Sequence, residues 1–202
     1  MSGRLSANHI GLFRLLPVPI WVQIVVGVLA LDLCDYVFHR LSHQIRWLWL
    51  LHSVHHSDSA VDVSTNLRAH PLHIVVTLFA KVPVVAAFGF PLWVLLLREL
   101  LAIPIAQLQH ANLRLPDAVE QFLQTFLVTP DLHKVHHAPD AGHNNRNFGG
   151  IFSFWDRWFG TYLTISRDEA PSYGLERLGS ERWQSVWGML LTPVRARRMD
   201  SL

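Results

Sequence analysis

The sequence predicts an all-α fold of integral membrane helices that carry a histidine-rich helical cap. The 202 residues are 50% hydrophobic but only 16% charged, whereas soluble domains carry about a quarter charged residues. Apolar segments of membrane-helix length run from Val18 to Phe38, from Leu72 to Phe88 and from Leu92 to Gln109. Histidines cluster just outside these segments, and we expect one domain over residues 1–202.

The first apolar segment is a single predicted span, for which Pro17 and Pro19 mark the start. Asp32 and Asp35 are expected at its wet end. The chain begins about 38 residues before His39, which leaves room for only one good span there.

The second and third segments together predict a helical hairpin. Leu72 to Gln109 is too long for one crossing of about 30 Å at 1.5 Å per residue, and Phe88 to Pro91 is a helix breaker. A hairpin returns to the side it left, so the regions before and after it share one side of the membrane. Lys81 and Glu99 lie equally far from the turn at Phe90, and we predict an ion pair between them because unpaired charges in a bilayer are costly.

Two features concern the membrane surface. The stretch from Leu115 to Leu132 carries an apolar stripe that includes Phe122 and Phe126, which predicts an amphipathic helix lying against the membrane. The positive-inside rule predicts a cytoplasmic histidine side. The basic residues counted there are Arg40, Arg46, Arg68, Arg114, Lys134, Arg146 and Arg157, against Arg4 and Arg14 on the other side.

The histidines predict a site for two metal ions. Of the 13 histidines, eight form a His-x-x-x-His pair and two His-x-x-His-His triplets. They are His39 and His43, then His52, His55 and His56, then His133, His136 and His137. Positions i, i+3 and i+4 share a helix face, so each triplet is expected to direct three imidazoles to one place. Imidazole suits iron, zinc and copper, and eight ligands are too many for one ion.

Further residues are candidates around this site. His110 ends the third apolar segment at the same surface and is expected as a ninth ligand. Candidates for an additional ligand, or for a group that orients a ligand, are His70, His143, Asp35 and Asn147. Ring N–H groups of ligating histidines usually donate to carboxylates or carbonyls. The acids Asp32, Asp58 and Asp131 are therefore either orienting groups or helix-end residues. His73 is expected to be solvated or to support a ligand, and no catalytic residue is predicted beyond the metal ligands.

Other kinds of site are disfavoured by the sequence. Basic runs that would bind nucleic acid, a His-Glu-x-x-His motif, a Gly-x-Ser-x-Gly elbow and a phosphate-binding glycine loop are not found. The single cysteine, Cys34, lies in an apolar segment and is a poor nucleophile. A membrane metal transporter would need ligands within its spans, whereas these histidines flank them.

With these motifs, the chain resembles the fatty acid hydroxylase / sterol desaturase superfamily over about Leu31 to Leu163. The resemblance begins at LDLCDYVFHRLSHQIRWLWLLHSVHHSD and continues at NLRAHPLH and QLQHANLRLP. It closes at TPDLHKVHHAPD and FGGIFSFWDRWFGTY. The chain departs from the family pattern at His73, where relatives often have Glu, and at Asn145, where they often have an acid. Many relatives also have one or two more membrane helices before the first histidine pair.

The resemblance implies a di-iron centre that uses O2 to hydroxylate or desaturate a membrane lipid, such as a fatty acyl chain or a sterol. It implies that the eight clustered histidines are ligands and that His110 matches a further ligand position. Zinc can take the place of iron in a purified sample. Electrons are expected from an external donor, a ferredoxin-like or small haem protein. The alternative is a non-catalytic metal- or lipid-binding membrane scaffold derived from the same family.

Overall fold

The computed structural model describes residues 11–16, 18–166, 169 and 172–198, and this part of the chain is all-helical, without β-strands. The predicted all-α fold is confirmed. Arg4, which the charge count includes, lies outside the described residues. The α-helices are α1 (Leu12–Leu15), α2 (Ile20–Gln44), α3 (Arg46–His56), α4 (Pro71–Phe88), α5 (Leu92–His110), α6 (Asp117–Leu123), α7 (Pro130–His136), α8 (Ala141–Asn144), α9 (Phe154–Trp158), α10 (Glu181–Gln184) and α11 (Val186–Arg195). Short 3-10 turns lie at Thr65–Leu67, Glu176–Leu178 and Ala196–Arg198.

Within the described residues, three helices, α2, α4 and α5, are by length and composition long and apolar enough to cross a membrane. They match the three predicted segments, and α2 packs against both α4 and α5. Side chains on the outer faces of the hairpin are exposed; the exposed fraction of Phe79, for example, is 69%. Such faces would be unfavourable in water and suit contact with lipid.

The turn of the hairpin follows from a glycine and a proline. Gly89 caps α4 in the left-handed conformation, with φ 72°, which only glycine adopts without steric cost. Pro91 then precedes α5. The chain therefore reverses direction between α4 and α5, as the sequence predicts.

The first membrane helix is longer than predicted, because α2 continues through His39 and His43 to Gln44. The expectation that Asp32 and Asp35 mark a wet helix end is wrong. Asp32 is fully buried and its Oδ1 accepts a hydrogen bond from Arg98 Nη2 at 2.9 Å. An acid paired in this way can continue a buried helix.

These acids belong to an ion cluster between the three long helices, formed by Asp32, Asp35, Lys81, Arg98 and Glu99. Lys81 Nζ lies 2.5 Å from Glu99 Oε1, which confirms the predicted ion pair. Lys81 also contacts Asp35 at 3.1 Å, and Arg98 contacts Asp35 at 2.5 Å. Because every charge has an opposite neighbour, the cluster reduces the cost of placing charges within membrane helices.

The segment from Leu115 to Leu132 is not one amphipathic helix. It forms α6, then an isolated bridge between Leu127 and Phe152, then the start of α7. Thr129 caps α7, because its side chain accepts a hydrogen bond from Leu132 N, and Pro130 occupies the first helical turn. The cap residue Thr129 and the following Pro130 therefore begin a new helix, whereas the apolar pattern predicts one continuous helix.

Candidate metal centre

Four helices, α2, α3, α5 and α7, bring the nine predicted ligand histidines together in two groups. The first group contains His39, His43, His52, His56 and His136. The second group contains His55, His110, His133 and His137. In each group the ligand atoms lie within 4.8 Å of one another, close enough to hold a metal ion. His110, predicted as a ninth ligand, lies in the second group with three of the clustered histidines.

Each His-x-x-His-His triplet contributes to both groups, so the expectation that a triplet meets at one place is wrong. On α3, His52 and His56 belong to the first group and His55 to the second. At the C-terminal end of α7, where His137 is the C-cap, His133 and His137 belong to the second group and His136 to the first. Successive residues of an α-helix are rotated by about 100°, so positions i+3 and i+4 point to opposite sides of position i. Each triplet therefore contributes two rings to one group and one ring to the other, and the α3 triplet gives its two rings to the first group while the other triplet gives its two to the second.

Backbone carbonyls orient four of the rings. In the first group, His39 Nδ1 lies 3.0 Å from the Phe148 carbonyl oxygen and His136 Nδ1 lies 2.8 Å from that of Arg146. In the second group, His55 Nδ1 is 3.0 Å from the Thr65 oxygen. His110 Nδ1 is 2.7 Å from the Ala106 oxygen. A carbonyl oxygen can only accept, so these Nδ1 atoms carry the proton and their Nε2 atoms present a lone pair.

The inward nitrogens fit a metal ion better than a hydrogen-bond network. His110 Nε2 lies 3.2 Å from His55 Nε2, although both atoms present lone pairs. Two facing lone pairs attract only when a cation lies between them. Metal–imidazole bonds of about 2.0–2.1 Å place neighbouring ligand nitrogens roughly 3 Å apart. His43 Nε2 and His136 Nε2 are buried without a hydrogen-bond partner in the described residues, as ligand atoms are before a metal binds.

Burial keeps these rings neutral. It lowers the pKa of His52, His55 and His56 well below the usual histidine value, with a smaller contribution from neighbouring imidazoles. The same causes lower the pKa of the three α7 histidines, which are His133, His136 and His137. A neutral imidazole is the form that binds a metal ion, so the ligands are ready at neutral pH.

The loop after α8 supports the first group. Asn147 has φ 54°, which non-glycine residues rarely adopt, and it lies between the two carbonyls that orient His136 and His39. Its Nδ2 donates to the Leu132 carbonyl oxygen at 2.9 Å and its Oδ1 accepts from Leu163 N. Asn147, a candidate ligand or orienting group, is not one of the grouped side chains; it fixes the backbone between the two carbonyls that orient His136 and His39.

Asp156 holds the same loop, a role that sequence reasoning missed. Its carboxylate accepts hydrogen bonds from Phe148 N at 2.7 Å and from Gly149 N at 2.9 Å. Thr161 Oγ1 donates to it as well, at 2.7 Å. The Trp-Asp-Arg-Trp-Phe-Gly-Thr motif carried this signal, but the sequence alone does not show which backbone groups the acid contacts.

The other candidates also lie outside both groups. His70 caps α4 and its Nε2 lies 3.1 Å from the Leu190 carbonyl oxygen, so both ring nitrogens are used structurally. His143 is paired with Asp140 at 2.6 Å on the surface, and Asp35 lies in the ion cluster. His73 stacks on the His52 ring, at 4.7 Å between centroids.

Carboxylates support the second group only indirectly. Thr65 donates its hydroxyl to Asp58 Oδ2 at 2.8 Å, while its carbonyl oxygen orients His55. Asp58 therefore stabilises the 3-10 turn whose Thr65 carbonyl oxygen orients the His55 ring. This is a weaker form of the predicted orienting role.

A cavity of about 370 Å³ reaches both groups. Rings of His39 and His52 from the first group line it, together with His55, His110 and His133 from the second. Apolar side chains of α4 and α5 form much of the remaining wall, including Ile74, Leu78, Ala102 and Ile103. An apolar molecule that enters between these helices would lie next to both histidine groups.

Comparison with known proteins connects this arrangement to lipid-modifying enzymes. The family model for fatty acid hydroxylases matches residues 24–161. The chain is 30% identical to alkylglycerol monooxygenase of Caenorhabditis elegans, over 71% of this chain and 28% of that protein. It is 30% identical to ornithine lipid hydroxylase OlsE of Rhizobium tropici, over 78% of this chain and 46% of that protein. It is 33% identical to alkylglycerol monooxygenase of Danio rerio, over 74% of this chain and 32% of that protein. The chain thus spans less than half the length of these relatives, and no solved structure matches it.

Proposed function

The chain belongs to the fatty acid hydroxylase family, and from this premise we propose that it is an O2-dependent di-iron oxidoreductase that hydroxylates or desaturates a membrane lipid. The observation that carries the proposal is the pair of histidine groups on the wall of one largely apolar cavity. The names of two relatives describe the oxygenation of lipids, namely of alkylglycerols and of ornithine lipids. The chemistry proposed for this chain is of the same general class.

In this proposal each histidine group holds one iron ion. Histidines of the first group, which are His39, His43, His52, His56 and His136, hold one ion. Histidines of the second group, which are His55, His110, His133 and His137, hold the other. Iron bound there supplies the activation of O2 and the oxidation of a C–H bond. The carbonyls of Phe148, Arg146, Thr65 and Ala106 keep the ring protons on the outer nitrogens, so that each inner nitrogen stays free to bind.

The remainder of the chain positions the lipid. Helices α4 and α5 contribute apolar walls to the cavity, and their exposed outer faces suit the bilayer from which a lipid would enter. We place the metal side in the cytoplasm on the positive-inside rule, where a ferredoxin-like or small haem protein would deliver electrons. We treat residues 1–202 as one domain in this scheme.

The experiment is oxidation of lipid by the iron-loaded protein in detergent, with heavy-isotope O2 and a reduced electron donor. Mass spectrometry of extracted membrane lipids should show an oxidised product that depends on iron and O2, with heavy oxygen if the product is an alcohol. A His136→Ala/His133→Ala double variant should make none. The matched control is His143→Ala, because that histidine lies outside both groups.

Binding of iron with no O2-dependent product from any lipid fraction would contradict the enzymatic proposal. It would favour the scaffold alternative, in which the histidine groups hold metal without turnover. Product formation by the double variant at the wild-type rate would contradict the assignment of the histidine groups.

A further inference from the structure

We propose that the ion cluster binds the polar end of the lipid, and that this end carries a hydroxyl group. The inference rests on the proposed function and adds the substrate class and the direction in which the lipid lies. It follows from the location, the charge balance and the unused hydrogen-bonding atoms of the cluster.

The cluster forms part of the wall of the cavity that reaches both histidine groups. Asp35, Lys81, Arg98 and Glu99 line the cavity together with the rings. The side chains of Lys81 and Arg98 are only 4% and 5% exposed, whereas that of Glu99 is 30% exposed. Glu99 is therefore the charged group of the cluster that a bound molecule reaches most easily.

The cluster contains more carboxylates than cations. Within the part of the chain that the structure describes, the three carboxyl groups of Asp32, Asp35 and Glu99 pair with two cations, Lys81 and Arg98. Asp32 is already satisfied, because in addition to Arg98 it accepts from Ile151 N and from Trp155 Nε1. The excess acceptor capacity thus belongs to Asp35 and Glu99.

Two atoms of the cluster are buried with no hydrogen-bond partner among the described residues, Asp35 Oδ1 and Arg98 Nε. One is an acceptor and the other a donor, and leaving such atoms unpaired in a buried site is costly. A hydroxyl group both donates and accepts, whereas an ether or ester oxygen only accepts and an ammonium group only donates. An alcohol therefore complements both atoms, which an ether, an ester oxygen or an ammonium group does not.

The cluster lies close to the histidines along α2. Asp35 is one helical turn before His39, which corresponds to about 6 Å along the helix axis. A lipid held by its hydroxyl at the cluster would present the carbons nearest that hydroxyl to the histidine groups. We therefore expect oxidation near the polar end of the lipid rather than at its methyl end.

The test is a binding measurement that needs no turnover. The full chain in detergent is loaded with zinc, which has no redox chemistry, and titrated with hexadecanol and with its methyl ether. The alcohol should bind about tenfold more tightly, the difference expected for one hydrogen bond to a charged group. Asp35→Asn should remove most of this advantage, because it replaces one of the two unpaired atoms, Asp35 Oδ1, with a neutral amide group, and a neutral acceptor is weaker than a carboxylate. Asp62→Asn, the same change at an exposed aspartate outside the cavity, should leave it intact.

Equal affinities of the wild-type chain for the alcohol and the ether would overturn the proposal, whether or not the iron-loaded protein oxidises lipids. Tighter binding of hexadecylamine than of hexadecanol would also overturn it, in favour of a cationic head group. A clear preference for the alcohol, together with no oxidised product, would reject the enzymatic proposal alone. If Asp35→Asn unfolds, the comparison of alcohol and ether on the wild-type chain still decides the question.

Discussion

The two histidine groups have the same ligand chemistry but different structural supports. The first group draws five histidines from α2, α3 and α7, and the carbonyls that orient it belong to a loop, at Arg146 and Phe148. The second draws four from α3, α5 and α7, and its orienting carbonyls lie in a 3-10 turn at Thr65 and within α5 at Ala106. The first group therefore depends on an irregular loop, whereas the second depends mainly on regular helix geometry.

The largest change in iron content is expected when one histidine is removed from either group. His136→Ala should empty the first group, and His133→Ala should empty the second, so that each variant falls from about two iron ions per chain to about one. The cause is loss of an inner nitrogen that no neighbouring side chain replaces. Iron content of detergent-purified protein, with His143→Ala as the control, gives the measurement. Loss of both ions from either single variant would show that the groups are not separate sites.

The next effect concerns the loop that supports the first group alone. Asn147→Ala should weaken iron binding there by about 10- to 100-fold, the range for loss of a group that orients a ligand. Alanine strains the backbone at φ 54° and removes the hydrogen bonds to Leu132 and Leu163. Competition with a chelator measures the affinity of each ion.

Two further variants separate the effect of backbone strain from that of the lost hydrogen bonds and provide a control. Asn147→Gly relieves the strain but still lacks the hydrogen bonds, so it should fall between alanine and the wild type. Asn145→Ala changes an exposed asparagine two residues away and should bind iron normally. An equal loss from both groups in Asn147→Ala would contradict a role confined to the first.

A smaller effect is expected at the turn that supports the second group. Thr65→Val removes the hydroxyl that Asp58 holds, but it retains the carbonyl that orients His55. The second ion should therefore bind less tightly by about tenfold or less, and the first should be unaffected. Ser64→Ala is the adjacent exposed control. The same chelator competition applies, and unchanged affinity would show that the turn needs no such anchor.

The smallest difference between the groups should appear on acidification of the metal-free protein. Burial lowers the pKa of three histidines in each group, which are His52, His56 and His136 in the first and His55, His133 and His137 in the second. Below about pH 6.5 the unfolded chain takes up protons that the folded chain does not, so stability is present above that pH and is lost as pH falls.

Thermal unfolding between about pH 7.5 and 5.5 measures this effect. His136→Ala and His133→Ala should each lose a similar part of the pH dependence, because each removes one buried imidazole. Unfolding midpoints that do not change with pH in the wild type would contradict the neutral, buried state of the rings.

The sequence predicts the helices and the gathering of the histidines better than it predicts the contacts that support them. Histidine spacing and the hairpin argument brought nine rings to one side, and the pairing of Lys81 with Glu99 followed from equal distances to the turn. The distribution of each triplet between two groups was missed, although helix rotation of about 100° per residue contains that information.

Contacts between distant parts of the chain account for the remaining errors. Asp32 was expected to be wet, but Arg98, which lies 66 residues later, pairs with it. Asn147 and Asp156 act through backbone groups of a loop whose path no local pattern describes. Such roles depend on tertiary packing, and one sequence provides no spacing rule for them.

Mössbauer spectroscopy of the chain reconstituted with isotopically enriched iron would distinguish the two proposed iron sites. We expect two iron environments of equal intensity, one for the five-histidine group and one for the four-histidine group. His136→Ala should remove one of the two signals and leave the other. A single environment, or iron bound only adventitiously and unchanged in His136→Ala, would contradict the di-iron assignment.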